Sequence, residues 1–130
     1  MLEPGIKGCV ERVVTEEMSA LRMGSGELMV LATPCMIAMI EEAAWKSISA
    51  ELEEGQGSVG TLMDVKHTAP TPMGMKVTCE TVLKEVDRRR LVFEVKAYDE
   101  TGIIGEGIHE RFLIDNEKFQ AKAEGKKAGE

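Results

Sequence analysis

Residues 33–53, TPCMIAMIEEAAWKSISAELE, decide the fold, because no other stretch of the chain keeps a helical period for so long. Thr33 is a good N-cap, and Pro34 suits the first helical position. Ile37, Ile40, Ala44 and Ile48 recur at steps of three, four and four, which predicts one buried stripe. Glycines at 55 and 57 can end the helix. Downstream the period drops to two. Residues 58–68 (SVGTLMDVKHT), 75–86 (MKVTCETVLKEV), 91–98 (LVFEVKAY) and 103–115 (IIGEGIHERFLID) all read as strands. Asp87-Arg88-Arg89-Arg90 and Asp99-Glu100-Thr101-Gly102 are the tight connections between them. Upstream, residues 6–17 predict a first, weakly alternating strand, and 18–32 a connection whose apolar LMVLA packs down. One long helix set early among antiparallel strands is an α+β layout, in which the sheet buries one face on the helix. A single domain over residues 1–116 is expected, with 117–130 as a polar, frayed tail.

The composition narrows the function. The chain has 130 residues, 43% apolar and 30% charged, which suits one globular domain. Three Phe, one Tyr and one Trp are too few for a base-stacking platform. A formal charge of −7 opposes bulk attraction to nucleic acid or anionic membrane, so a polyanionic ligand would need a local basic pocket. No apolar run reaches the roughly 18–20 residues of a membrane span. The N-terminal MLEPGIKGCVERV lacks the apolar stretch of a signal peptide. Cys9, Cys35 and Cys79 are odd in number and far apart, as free thiols in a reducing compartment would be. A soluble cytoplasmic protein is expected. Nine methionines suggest an adaptable core or a forgiving apolar pocket.

Two polar residues fall where apolar ones would be ordinary. On a wheel of about 100° per residue, Glu41 lies roughly 40° from Ile37, inside the predicted apolar stripe, while Glu42 points to water with Lys46. A carboxylate turned to the core needs a partner, and it is a candidate base, nucleophile or orienter. A rim position reaching solvent is the plainer alternative. In the strand over 58–68, His67 shares a face with Thr61, Met63 and Val65, the more apolar side. A histidine and a carboxylate facing one interior can set each other's protonation. Thr33 is most simply a cap, yet a hydroxyl at a helix N-terminus can also bind or attack an acyl carbonyl. Thr33 and Glu41 are about 12 Å apart along a regular helix, so one site using both needs a partner chain or an unwound helix start. A homodimer with composite sites is the favoured solution. Cys35, in the first helical turn, is a rival nucleophile. His109 alternates onto the side of Gly105, Gly107 and Arg111. His67, His109 and Asp64 lack the spacing of a metal site, and none is expected.

Three segments then carry a resemblance: ATPCMIAMIEEAAW, GSVGTLMDVKHTAPTPMG and DRRRLVFEVKAYDETGIIGEGIHERF. Over roughly residues 28–119 they resemble the fluoroacetyl-CoA thioesterase-like family of hotdog-fold proteins. The resemblance implies a sheet wrapped around one long helix, usually dimeric. It implies catalytic roles for Thr33, Glu41 and His67. It implies that the Gly60 amide holds the thioester carbonyl and that Arg111 lies near the site. It departs from the family member specialised for fluoroacetyl-CoA at the aromatic gate ahead of the threonine and at the tryptophan after the glutamate. Glu27 and Glu42 take those places here, and no phenylalanine precedes Phe93.

The expected reaction is hydrolysis of a short acyl-CoA, whether of a toxic or halogenated acyl group or an ordinary one, with coenzyme A as part of the substrate and no separate cofactor. Arg88, Arg89, Arg90, Arg111, Lys118, Lys122, Lys126 and Lys127 are the basic residues available to its phosphates, with Arg111 favoured and the 88–90 run read as a solvated turn. A hotdog hydratase or dehydratase, or a non-catalytic acyl-CoA-binding module, are the alternatives.

Overall fold

The computed structural model describes residues 1–129; Glu130, the last residue of the expected tail, lies outside the described residues. The five strands are β1 (Lys7–Val13), β2 (Gln56–His67), β3 (Lys76–Asp87), β4 (Arg90–Asp99) and β5 (Gly102–Asp115). They form one antiparallel sheet in the order β1-β3-β4-β5-β2. A short helix α1 (Ala20–Met23) precedes the long helix α2 (Thr33–Ile48), which a 3-10 turn over Ser49–Glu51 prolongs. The sheet wraps around α2, so the α+β hotdog expectation holds.

Alternation builds the core. Val77, Cys79, Thr81 and Leu83 on β3, and Leu91, Phe93, Val95 and Ala97 on β4, all point to α2 and are buried. The helix answers with Met36, Met39, Ile40, Ala43, Ala44 and Ile48. Full burial of each large apolar side chain contributes about 1.5–3 kcal/mol. Gly8 lets β1 come close to the helix, since a Cβ there would run into the Ala43 carbonyl.

This stripe is turned from the expected one. Met36 and Ala43 define its centre, while Ile37 is only half-buried. α2 packs chiefly against β1 and β3, and the flexible Met36 side chain reaches Gly105 on β5, filling the space a Cβ there would need. Glu41 therefore leaves the core stripe and lies on the helix face that looks toward β2 and β5. Because α2 sits over the β1–β3 side, a groove stays open along β2.

Two further expectations change. Thr33 is not the N-cap: Ala32 occupies that position, and Pro34 lies in the first turn. The tail is not frayed throughout, because Asn116–Gly125 forms a helix, α3, capped by the Asp115 carboxylate accepting from the Lys118 amide at 3.0 Å. Its side chains are nearly all exposed, as the polar composition requires.

Candidate active site

The polar residues singled out in the sequence gather at two ends of the groove. At the first end, the N-terminus of α2 meets the last residue of β2. Freed from capping, the Thr33 hydroxyl lies 2.7 Å from His67 Nδ1. Burial draws the His67 pKa below the ordinary imidazole value of 6.5, with the Ala69 backbone acting the other way. His67 is thus neutral at pH 7, and the hydroxyl can donate to Nδ1. His67 Nε2 is buried with no hydrogen-bond partner among the described residues. A cleft of about 270 Å³ adjoins the pair, lined by Ala20, Val30, Leu31, Ala69 and Pro70 among others. Pro70 and Pro72 stiffen the turn after His67, and an isolated bridge between Val30 and Pro72 ties that turn to the segment before α2.

The second end lies two turns further along α2. Here Glu41 Oε2 stands 3.7 Å from Arg111 Nη1. Arg111 is 5% exposed. Its Nε donates to Ser58 Oγ at 2.8 Å and its Nη2 to the Ser58 carbonyl at 2.9 Å. Its Nη1 lies 3.2 Å from His109 Nε2. Gly60 makes room for this cluster: a Cβ there would stand 2.7 Å from Glu41 Oε2 and 3.2 Å from His109 Cε1. The β2–β5 register shifts between Gly60 and Leu62, a bulge of the kind that re-aims backbone beside functional sites. The bulge also breaks the expected alternation. Met63, Val65 and His67 keep the inner face, half-buried, whereas Thr61 is exposed.

Within one chain, then, Thr33 and His67 are brought together, and Glu41, Gly60 and Arg111 are brought together. The two groups stay apart because α2 is regular from Thr33 onward.

The family model for fluoroacetyl-CoA-specific thioesterase matches residues 14–117. The chain belongs to that family. The fluoroacetyl-CoA thioesterase of Streptantibioticus cattleyicolor is 45% identical over 93 residues, which cover 72% of this chain and 67% of that one. A solved structure of a fluoroacetyl-CoA-specific thioesterase superposes with a TM-score of 0.91 at 36% identity, over 97% of this chain and 98% of that one. A threonine-to-serine variant, solved in complex with acetyl-CoA, superposes with a TM-score of 0.91 at 34% identity, over 96% and 98% of the two chains.

Other candidate residues from the sequence are engaged elsewhere or lie apart from these two groups. Cys35 is partly covered, and burial pushes its thiol above the usual value, with the Arg12 charge opposing. It is a poor nucleophile, and His67 is bonded to Thr33 instead. Glu42 is the more sheltered of the paired glutamates, its side chain 26% exposed against 44% for Glu41. It accepts from Arg12 Nη2 at 2.8 Å and from Lys46 Nζ at 2.7 Å, tying α2 to β1. Arg90 is likewise engaged, with Glu110 and Glu85, and Arg88 is 93% exposed at the hairpin tip. Arg111 is committed to Ser58, His109 and Glu41, so it reaches the groove beside Glu41 and not as a free phosphate-binding cation. No cluster of three or more metal-ligating side chains occurs among the described residues.

Sequence reasoning passed over Ser58 and gave His109 no role. Ser58 carried no signal. His109 did, because it alternates with Arg111 on a strand otherwise lined by glycines, where its ring has room.

Proposed function

We propose that the protein is an acyl-CoA thioesterase that hydrolyses short acyl-CoA thioesters to a carboxylate and free coenzyme A. The observation that carries this reading is the Thr33–His67 hydrogen bond at the N-terminus of α2, in a chain of the thioesterase family. A neutral imidazole with a hydroxyl donating to it is arranged to take a proton. In the proposed reaction His67 Nδ1 receives the proton of the Thr33 hydroxyl, or of a water held by it, as oxygen attacks the thioester carbon. The C–S bond then breaks, and the sulfur leaves as thiolate and takes the proton that His67 holds; where Thr33 is the attacking oxygen, water then hydrolyses its ester, releasing the carboxylate and restoring the hydroxyl. The helix N-terminus and the Gly60 amide stabilise the oxyanion, an effect commonly worth about 2.7–4 kcal/mol per donor. The adjoining cleft offers an acyl group the apolar side chains of Val30, Leu31 and Pro70 beside the hydroxyls of Ser25 and Thr68. Coenzyme A enters as part of the substrate, and no other cofactor is invoked.

The working unit in this reading is a homodimer. Three observations support it. Thr33 and His67 meet at one end of the groove, while Glu41, Gly60 and Arg111 meet two turns of helix away. The buried His67 Nε2 lacks a partner. And β2, 12 residues long, pairs among the described residues only with β5, so its outer edge is open to a second copy. Glu41 of the partner subunit, with Gly60 of the partner subunit, would then complete the Thr33–His67 end. A cytoplasmic location belongs to the same reading. It is supported by three free cysteines and by the absence, among the described residues, of a helix long and apolar enough to cross a membrane.

The test is thiol release from acetyl-, fluoroacetyl-, propionyl- and benzoyl-CoA by the wild type and His67→Ala side by side. Turnover of the short acyl groups is expected, falling about 10²–10⁴-fold in the variant. A folded wild type that releases no thiol from any of them sinks the reading in favour of an acyl-CoA-binding module. The fluorinated member of the panel also measures what replacing the aromatic gate by Glu27 does to selectivity.

A further inference from the structure

His109 is 1% exposed, and nothing in the proposed reaction uses it. Its surroundings nevertheless fix its chemistry. Nδ1 lies 2.9 Å from the Leu62 carbonyl, an obligate acceptor, so Nδ1 carries the proton. Nε2 is then a lone pair, and Arg111 Nη1, which can only donate, supplies the hydrogen at 3.2 Å. Phe93 stacks against the ring with centroids 6.1 Å apart. The charged groups facing the imidazole are Arg111 on its own strand and Glu41 from α2; β2 and β4 offer a carbonyl and an aromatic face. Burial holds the pKa low, aided by Arg111 and opposed by the Leu62 carbonyl and Glu41.

Each of its two bonds reaches a part of the site. Leu62 closes the β2 bulge that begins at Gly60, so the Nδ1–H bond pins the strand that carries the oxyanion donor. The Nε2 bond turns the guanidinium so that the other Nη1 hydrogen is free to face Glu41. We propose that His109 is a positioning residue: by bridging the Leu62 carbonyl to Arg111 it presents the Gly60 amide and the Glu41 carboxylate as one preorganised unit. This rests on the thioesterase reading above. The bridge requires a neutral ring, because protonated Nε2 would turn an N–H toward an arginine that has only N–H groups to offer.

Two substitutions separate the two bonds. His109→Asn places an amide nitrogen where Nδ1 was and leaves nothing for Arg111. His109→Gln places an amide oxygen near the Nε2 position and loses Leu62. Expected for His109→Asn is a kcat loss of about 10–100-fold with KM moved less than about threefold. His109→Gln, with the Arg111 bond restored but the Leu62 bond lost, should recover about threefold of that loss, still below wild type, at a comparable melting temperature. Equal losses in both variants that track a fall in melting temperature would overturn the proposal, as would wild-type kcat in either. A wild type without thiol release is a failure of the thioesterase reading, and it is seen before any variant is made. The ring state is measured independently of activity and of variant folding. Long-range nitrogen–proton NMR of the wild type should show His109 as the neutral Nδ1–H tautomer at pH 7 and above. An imidazolium or an Nε2–H tautomer at pH 7 overturns the bridge.

Discussion

The two ends of the α2 groove each hold a histidine but satisfy it in opposite ways. At the Thr33–His67 end one hydrogen bond joins two side chains, and a ring nitrogen is left unmatched beside an open cleft. At the Glu41–Arg111 end the guanidinium is buried and held by Ser58, His109 and Glu41. The first end leaves a buried ring nitrogen without a partner among the described residues. The second satisfies its buried charge, with one carboxylate facing out. The contrast teaches that one groove holds a loosely satisfied pair and a tightly satisfied cluster, which the proposed dimer would bring together.

The strongest way to break that comparison is complementation. His67→Ala and Glu41→Gln should each abolish turnover as homodimers. If the halves meet across two chains, refolding them together yields mixed dimers with one intact site, and about a quarter of wild-type activity should return. No recovery, with subunit exchange verified by native mass spectrometry, would place both halves within one chain.

Gly60→Ala probes the second end alone. The new methyl group needs the space that Glu41 Oε2 and His109 Cε1 now take. A displacement of the carboxylate by about 1 Å should lower kcat by about 10–100-fold while stability changes by less than about 1 kcal/mol. A variant with wild-type kcat would mean that Glu41 needs no fixed position.

The pH dependence sharpens the comparison at both ends, since each holds a buried histidine with a lowered pKa. Both must be neutral, His67 to accept a proton and His109 to accept from Arg111. The acid limb of kcat/KM should therefore fall below the ordinary value of 6.5. Stability follows the same sign. A depressed imidazole binds its proton more readily in the unfolded chain, so protonation favours unfolding. This contribution is full above about 6.5 and is lost as pH falls through and below that value. Denaturant midpoints at pH 7.5 and 5.5 should differ accordingly, and a midpoint unchanged on acidification would contradict the burial of both rings.

The smallest expected effect lies outside the groove and serves as its control. Arg88 holds φ at 58°, a left-handed conformation that suits glycine. Arg88→Gly should add less than about 1 kcal/mol of stability and leave kcat alone. A change in turnover would show that the hairpin tip communicates with the site.

Much of this molecule was legible in one dimension. The switch from a helical period to a period of two marked α2 and the four strands after it, because burial on one face imposes those periods directly. The resemblance picked out Thr33, Glu41, Gly60, His67 and Arg111. Local pattern could not say what each residue does, because that depends on partners distant in sequence. Thr33 looked like a cap and became the partner of His67, which comes 34 residues later. Glu41 looked buried because the wheel was centred on isoleucines. Only the packing of Ala43 against Gly8 of β1 and of Met36 against Gly105 of β5 fixed the helix rotation that turns Glu41 toward Gly60. Ser58 and His109 acquired meaning only when β2 paired with β5 and enclosed the Arg111 guanidinium, whose buried charge demands acceptors on every side. Periodicity is a property of each segment alone, whereas satisfying a buried charge takes several segments at once, and only the tertiary structure brings them together.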